Sequence, residues 1–450
     1  MVWSRLNCGQ SVIFAVSFVC LASRHVALLG WSMGRPMVVK EMEFTSTQMG
    51  LMDTAYMLSY AFGNMLSGNL GDTYPLKLVV SLGLGLTSLV LVVVAGLGFY
   101  EVKVIGLFVC LWIANGLCQS VVRPCAVALM GNWFPRLSRG RIMGIWSSST
   151  SVGDVIGAEL GGLMLFLGYS WEAILLLCAV IVATVSIVFA LVAEDKPPLD
   201  LLAADVCCDK EFFLVMKHRS GQAKHGINFF EAWKIPGVLS YSLAFACVKL
   251  LLYGMLFWLP FFLSHRVHLT GHVIGMITAM FAIGGILGSS VGGWLSDQMK
   301  GYRSFVLMPM VGITIPLLLL FEVGSHEETY WLFYIVIPII GFMNAGASHL
   351  MCTAVAADLA EKCEAKRNDD AKATVTGIMN GVGSLGAAAG GILIGWLQTF
   401  SWDYVFFFLI SVSTVATALL VVITLSEYRE SKRLSKPSHL SIPDNSHYSP

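Results

Sequence analysis

Charged residues are scarce in this sequence. Only 12% of the 450 residues are Asp, Glu, Lys or Arg, whereas 56% are hydrophobic and the mean hydropathy is +0.74. Soluble domains carry about 25% charged residues, so this composition excludes a soluble globular protein and predicts an all-α membrane protein with many spans. The 28 basic residues equal the 28 acidic ones. The chain therefore has no basic excess, and we expect no nucleic-acid partner.

Signatures of catalysis are also lacking. The chain has neither an HExxH zinc motif nor a P-loop pattern. Its longest polar stretch between apolar segments, 194–235, is too short for a catalytic domain. We therefore expect no enzymatic activity, no cofactor and no metal.

Long apolar stretches are abundant, and a span needs roughly 20 such residues. The sequence predicts six helices, a polar link and six more helices. The N-terminal six-helix half is 1–193, the cytosolic linker 194–235, the C-terminal six-helix half 236–425, and a disordered cytosolic tail 426–450. The twelve predicted helices lie near 10–33, 48–71, 77–99, 104–130, 140–166, 172–193, 236–263, 271–297, 304–322, 330–358, 372–398 and 403–425.

The distribution of basic residues predicts the orientation. The chain ends, the link and the loops after even-numbered helices hold 21 of the 28 lysines and arginines. Because basic residues collect on the cytosolic side, both termini and the link are expected to be cytosolic. The opposite loops hold four, namely Arg35, Lys40, Lys103 and Arg266. The remaining three, Arg24, Arg123 and Lys249, lie within predicted spans.

The two halves resemble each other. "GNLGD" at 68–72 and "GWLSD" at 293–297 are offset by 225, and "SVGDVIGAELGG" at 151–162 matches "GVGSLGAAAGGI" at 381–392 with an offset of 230. Parallel repeats of this kind build the major facilitator architecture, which places the substrate between the halves near the bilayer midplane.

Arg24 and Lys249 occupy equivalent positions of the repeat, since they are also 225 residues apart. Cations inside a span are costly and mark substrate or ion pathways. The pseudo-two-fold axis brings these two face to face, and an anion with two or more oxygens would suit the space between them. The alternative is that each cation pairs privately with a neighbouring acid or carbonyl.

Asp72 and Asp297 end the two repeat motifs on the predicted cytosolic side. There they would pair with cytosolic Arg or Lys and hold an inner gate shut. Structural helix ends would give the same pattern, so both interpretations stay open.

Several longer stretches resemble one family. They are "LMDTAYMLSYAFGNMLSGNLGD" (51–72), "CLWIANGLCQS" with "RPCAVALMGNWF" (110–134), "RGRIMGIWSSSTSVGDVIGA" (139–158), "IPGVLSYSLAFACVKLLLYGMLFWLPFFL" (235–263), and "AVAADLAEK" with "ATVTGIMNGVGSLGAAAGG" (354–362 and 373–391). They are similar to the organophosphate:phosphate antiporters of the major facilitator superfamily, in particular the eukaryotic sugar-phosphate exchanger and glycerol-3-phosphate transporter group.

The resemblance implies exchange of a phosphorylated metabolite for inorganic phosphate, commonly at the endoplasmic reticulum membrane. The family's first-helix Ser-Arg-Lys motif is matched by Ser23, Arg24 and His25, so its phosphate-binding arginine corresponds to Arg24. The cation of its seventh helix corresponds to Lys249. We expect Arg24, Lys249 and His25 to bind substrate.

The chain departs from the family pattern at other buried positions. His25 replaces the lysine of the motif, Arg123 replaces an aromatic residue, Asp154 replaces an amide, and His349 stands where relatives often have an aromatic residue. Arg123 and Asp154 would form a buried ion pair. Otherwise Arg123 is a third phosphate contact, or Asp154 and Glu159 carry protons, with Asp53 as a third acid within the spans. His349 is either a hydrogen-bonded packing residue or a substrate ligand.

The leading hypothesis is therefore a multi-pass antiporter of the endoplasmic reticulum membrane that exchanges a phosphate ester of the glucose-6-phosphate or glycerol-3-phosphate class for inorganic phosphate. Its partners would be these small molecules and the lipid bilayer. The alternatives are a proton-coupled symporter of another organic anion and a non-transporting membrane receptor or scaffold.

Overall fold

The structure, a computed structural model, describes residues 8–134, 142–143, 145–197, 229–299, 302–326, 330–360 and 372–434. These residues form helices and no strand. The long helices are α1 Cys8–Met42, α2 Ser46–Thr73, α3 Leu76–Phe99, α4 Ile105–Trp133, α5 Ser149–Phe166, α6 Trp171–Val192, α7 Val238–His265, α8 Gly271–Gln298, α9 Ser304–His326, α10 Phe333–Ala360, α11 Lys372–Leu397 and α12 Trp402–Leu434.

Ten helices of the described part of the chain are long and apolar enough to cross a membrane. The other two, α2 and α5, lie where the sequence predicts spans. The all-α membrane fold is confirmed, whereas the count of twelve spans stays a prediction. The boundaries of the halves, the linker and the tail stay predictions too, and residues 198–228 of the link lie outside the described residues.

Two helices extend well beyond their predicted C-terminal ends. Helix α1 continues to Met42, so Arg35 lies inside this helix rather than in an outer loop. The helix continues past the apolar run because its polar side chains find partners within the protein: Ser32 donates to the carbonyl of Leu256 at 2.7 Å, and Arg35 binds Asp53. Helix α12 extends to Leu434, beyond the predicted start of the tail at 426, and residues 435–450 are outside the described part.

Helix packing repeats from one half to the other. In the first half α1 packs on α5 and α6, α2 on α4, and α3 on α6. In the second half α7 packs on α11 and α12, α8 on α10, and α9 on α12. Each pair maps onto its counterpart when six is added to the helix number. The contacts between the halves, α1 with α7, α2 with α11 and α5 with α8, follow the same rule. The fold therefore has the pseudo-two-fold arrangement that the sequence repeat predicts.

Glycines bring the two halves into close contact at one end of the molecule. We call this contact region the closed face, and it consists of residues 46–54 with 388–395 and residues 158–165 with 271–275. A Cβ on Gly50 would lie 2.4 Å from the carbonyl oxygen of Gly391, and one on Gly275 would lie 2.7 Å from that of Ala158. Thr54 donates to the carbonyl of Ala388 at 2.7 Å. Small residues permit such close backbone approach between membrane helices. In the predicted orientation this face is the non-cytosolic one.

Candidate anion-binding site

A cavity with about 610 Å³ of empty space lies between the two halves. Helices α1, α2, α4 and α5 of the first half and α7, α8, α10 and α11 of the second all contribute to its lining. Its polar or ionisable lining side chains include His25, Tyr60, Arg123, Asp154, Lys249, Tyr253, His349 and Asn380.

Lys249 lines this cavity from α7 and is only 5% exposed. Its Nζ donates to Ser384 Oγ at 2.8 Å and to Asn380 Oδ1 at 3.2 Å, both on α11. Gly383 lets the two helices meet, because a Cβ there would lie 2.9 Å from Lys249 Cδ. These partners are neutral, and no carboxylate of the described residues forms an ion pair with Lys249.

Arg24 lies beside the cavity rather than in its lining. It lines a smaller pocket that shares His25, Tyr60 and Tyr253 with the cavity. Its Nη1 donates to the Tyr60 hydroxyl at 3.1 Å and to the carbonyl of Gln119 at 3.4 Å. The side chain is 3% exposed, and its Nε has no hydrogen-bond partner among the described residues. Neither Arg24 nor Lys249 therefore has a private carboxylate partner within the described structure.

His25 joins Arg24 to Asp154. Its Nδ1 lies 2.8 Å from Asp154 Oδ1, and its Nε2 lies 3.2 Å from Arg24 Nη2. All three side chains are buried. Gly153 permits the contact between α1 and α5, because a Cβ there would lie 2.2 Å from the carbonyl oxygen of Ala22 and 2.8 Å from His25 Cβ.

The predicted Arg123–Asp154 ion pair is absent from the described part of the structure, where Asp154 contacts His25 instead. Arg123 lines the cavity, is half-buried, and makes no hydrogen bond or ion pair with the residues that the structure describes. It interacts electrostatically with His25, Lys249 and His349. Its position follows from Pro124, which has no N–H for the carbonyl of Ser120, so α4 is interrupted at Val121.

Asp53, a predicted proton or ion-pair residue, binds Arg35 instead of facing the cavity. Arg35 Nη1 and Nη2 donate to the two carboxylate oxygens at 2.9 and 2.6 Å. The guanidinium also lies over the ring of Trp258 on α7, 4.7 Å from its centroid. Arg35 is 0% exposed. Arg35 is therefore a fourth basic residue buried among the helices, besides the three predicted within the spans. Unlike Arg24 and Lys249, it has a carboxylate partner of its own among the described residues.

The other predicted residues have different placements. His349 lines the cavity, with its Nε2 3.3 Å from Ser151 Oγ across the two halves. Glu159 is half-buried and is not part of the cavity lining. The helices α2 and α8 extend over Asp72 and Asp297, but the side chains of both gating candidates lie outside the described part of the structure.

Sequence reasoning missed Tyr60, Asn380 and Ser384, which contact the two cations. The repeat contained a signal for two of them. In the matched segments, Ser384 is equivalent to Asp154, and Asn380 is equivalent to Thr150. Because the sequence already singles out Asp154, the repeat points to Ser384 as its counterpart in the second half.

Comparison with known proteins identifies the family. The family model described as Major Facilitator Superfamily matches residues 13–362 and 262–443. The chain belongs to the Major Facilitator Superfamily. Solved members share the fold: nucleoside transporter NupG superposes with a TM-score of 0.67 over 92% of this chain and 99% of that one, at 14% identity. A bacterial homologue of the lysosomal transporter Spinster, inward-facing and occupied, gives 0.64 over 95% and 98%, at 15% identity.

Within the superfamily the chain is similar to named carriers of phosphorylated metabolites. Sugar phosphate exchanger 3 of Xenopus laevis is 32% identical over 87% of this chain and 82% of its own length. Putative glycerol-3-phosphate transporter 5 of Arabidopsis thaliana is 32% identical over 93% and 91%. A glucose-6-phosphate exchanger of Bos taurus is 33% identical over 84% and 81%. The predicted family membership is confirmed, and these relatives are transporters by name rather than enzymes.

Proposed function

We propose that this superfamily member is an antiporter that exchanges a phosphate ester of the glucose-6-phosphate or glycerol-3-phosphate class for inorganic phosphate. One observation carries the proposal: Arg24 and Lys249, at equivalent positions of the two halves, are buried beside one cavity and bind only neutral partners. The names of the relatives support the class of substrate.

The physical reason is the cost of buried charge. A cation without a counter-ion in a low-dielectric site costs several kcal/mol, and an anion between two such cations removes that cost. A phosphate group carries about −1.5 to −2 charges at pH 7 and three acceptor oxygens. Lys249 would act as a point charge, and Arg24 would offer its free Nε–H together with the N–H group that now contacts Tyr60.

Tyr60 connects the cavity to Arg24. Its hydroxyl oxygen accepts from Arg24, so its own proton stays available to an oxygen of the substrate. A phosphate at Lys249 would reach Arg24 through this hydroxyl or by displacing it. By either route, one anion would be bound by residues of both halves.

Exchange follows from the same charges. With no anion bound, the two cations stay uncompensated, so a rocking motion that brings them closer is unfavourable. A bound anion removes this barrier, and net movement then requires an anion in each direction. The proposal includes cytosolic termini and an endoplasmic reticulum location.

Counterflow in proteoliposomes tests the proposal. Purified protein would be reconstituted into vesicles that contain unlabelled phosphate. Labelled phosphate would be added outside, alone or together with each of a panel of phosphate esters as competitors. We expect exchange in the native protein and its loss in Arg24→Ala and Lys249→Ala. Lys103→Ala is the matched control, because Lys103 contacts Glu43 on the exterior at 2.5 Å and lies far from the cavity in its loop. Native-level exchange by either cavity variant, in protein that elutes as a folded monodisperse species, would refute the shared-anion site.

The His25–Asp154 contact favours a second candidate, proton-coupled symport of an organic anion. Uptake driven by a pH gradient into vesicles that contain no phosphate would support symport over exchange. Failure of the protein to bind any phosphate ester would instead favour a receptor or scaffold.

A further inference from the structure

The hydrogen bonds of His25 assign its protonation state in the empty site. A guanidinium has only donors, so the His25 Nε2 that faces Arg24 Nη2 at 3.2 Å must be the unprotonated nitrogen. The proton is then on Nδ1, which donates to Asp154 Oδ1 at 2.8 Å. In the empty site His25 is therefore neutral, and Arg24 blocks the only nitrogen that can accept a proton.

The charges around His25 oppose a further proton while the site is empty. Three fixed cations face this region: Arg24 on α1, Arg123 on α4 and Lys249 on α7. Asp154 on α5 is the single carboxylate of the described cavity lining. The remaining titratable neighbours are Tyr56 and Tyr60 on α2, Tyr253 on α7, and His349 and Cys352 on α10, while the described part of α6 contributes none to the lining. An imidazolium here would therefore add a fourth positive charge against one negative charge.

Anion binding changes both the Arg24 contact that blocks Nε2 and the excess of positive charge around His25. An anion with two negative charges compensates two of the cations, and it attracts the Arg24 guanidinium away from Nε2. The freed nitrogen then faces an acceptor oxygen, while Asp154 stabilises the imidazolium through Nδ1. We propose that phosphate binding at this site is coupled to the uptake of one proton on His25 Nε2, with Asp154 as its counter-ion. This inference rests on the proposed anion site and adds a proton-binding site to it.

The balance is simple. The proton comes from a hydronium ion on the side to which the cavity is open: one O–H bond breaks, an N–H bond forms at the Nε2 lone pair, and a water molecule is left. Asp154 keeps its contact with His25 Nδ1 and acts as a positioning residue for His25. The loaded carrier then holds one anion and one proton, so exchange moves a net proton through His25 only when the two compounds bind with different protonation states of His25.

Calorimetry on the purified full-length protein tests this coupling. Phosphate is titrated at pH 8, where it is almost entirely dianionic, in two buffers with different ionisation enthalpies. The difference in heat gives the number of protons taken up. We expect about one proton per bound phosphate for the native protein, and a half-saturation concentration that rises by up to tenfold per pH unit. An uptake of zero would overturn the proposal.

Two variants and a second probe separate this result from protonation of phosphate itself. The double variant His25→Lys with Asp154→Asn replaces the titratable imidazole by a lysine, and any phosphate that it binds should be bound with no proton uptake. Equal uptake in native protein and double variant would assign the proton to phosphate and overturn the inference. If the variant does not bind, fluorophosphate, which stays dianionic between pH 6 and 8, is titrated into native protein instead. Uptake of a proton with this probe supports His25, and none overturns the inference.

These outcomes are separable from failure of the proposed function. If native protein binds and exchanges phosphate without taking up a proton, only the proposed proton coupling is refuted. Native protein that neither binds nor exchanges phosphate at any pH would remove the anion site on which the coupling depends.

Discussion

The close packing of the closed face predicts that Gly50→Ala disturbs the contact between α2 and α11. A Cβ at this position would lie 2.4 Å from the carbonyl oxygen of Gly391, whereas ordinary contact starts at 3.4 Å, a shortfall of 1.0 Å. The contact atom belongs to backbone, so it cannot rotate away as a flexible side chain would. In Gly50→Ala, α2 and α11 must therefore separate by about this distance, or the carrier must leave this conformation.

Overpacking of this kind costs about 1–3 kcal/mol, which lowers the population of the closed-face conformation by roughly 5- to 150-fold. Because alternating access needs each conformation in turn, we expect phosphate counterflow to fall by a similar factor when this conformation limits the cycle. Gly275→Ala should act likewise, since a Cβ there would lie 2.7 Å from the carbonyl oxygen of Ala158 in the equivalent contact between α5 and α8.

Accessibility labelling and counterflow together measure the effect. A single cysteine placed near the closed face should become more reactive to a membrane-impermeant maleimide in Gly50→Ala. Gly106→Ala is the control, because a Cβ at Gly106 would meet nothing within 4 Å. If Gly50→Ala showed native counterflow and native labelling, the close approach of α2 and α11 would have no role in the transport cycle.

Two further predictions concern the buried charges. Asp53→Ala leaves the fully buried Arg35 without its carboxylate and should lower the free energy of unfolding by about 3–5 kcal/mol. Thermal unfolding in detergent would show the loss, and Arg35→Met combined with Asp53→Leu should recover most of it; additive losses would contradict an isolated pair. Ser384→Asp gives Lys249 a private carboxylate in place of a hydroxyl at 2.8 Å. The half-saturation concentration of phosphate should rise by about 10- to 100-fold, because a charge-assisted hydrogen bond is worth about 1.5–3 kcal/mol. Ser384→Asn is the neutral control, and an equal effect of both variants would contradict the electrostatic explanation.

Some of the site could be predicted because charge stands out against an apolar background. Arg24 and Lys249 are conspicuous within hydrophobic runs, and the repeat offset relates one to the other without any coordinates. The same logic failed for Arg35. It lies just beyond the apolar run, where a basic residue ordinarily faces water, and its burial depends on Asp53 from the next helix.

Contacts between distant helices were beyond the reach of the sequence. His25 and Asp154 were each recognised as departures from the family pattern, but 129 residues separate them. Their contact depends on the approach of α5 to α1 at Gly153. Asp154 was therefore assigned to Arg123, the cation of the preceding helix, because proximity along the chain was the available guide. The packing of α1 on α5 decides between the two partners.

Helices α5 and α11 contact His25 and Lys249, and both also build the closed face. On α5, Asp154 binds His25, and the carbonyl of Ala158, one turn further along the same side of the helix, meets Gly275 of the other half. On α11, Ser384 binds Lys249, and the carbonyl of Ala388, again one turn further, accepts from Thr54. One rigid segment of α5 thus carries the partner of His25, which contacts Arg24, and one segment of α11 carries the partner of Lys249, each together with a contact of the closed face. An anion that draws Arg24 or Lys249 toward itself changes the force on α5 or α11, and a rigid helix transmits that change over a single turn to the contact between the halves. In each half, one helical turn of α5 or α11 is therefore enough to couple anion binding in the cavity to the opening of the closed face.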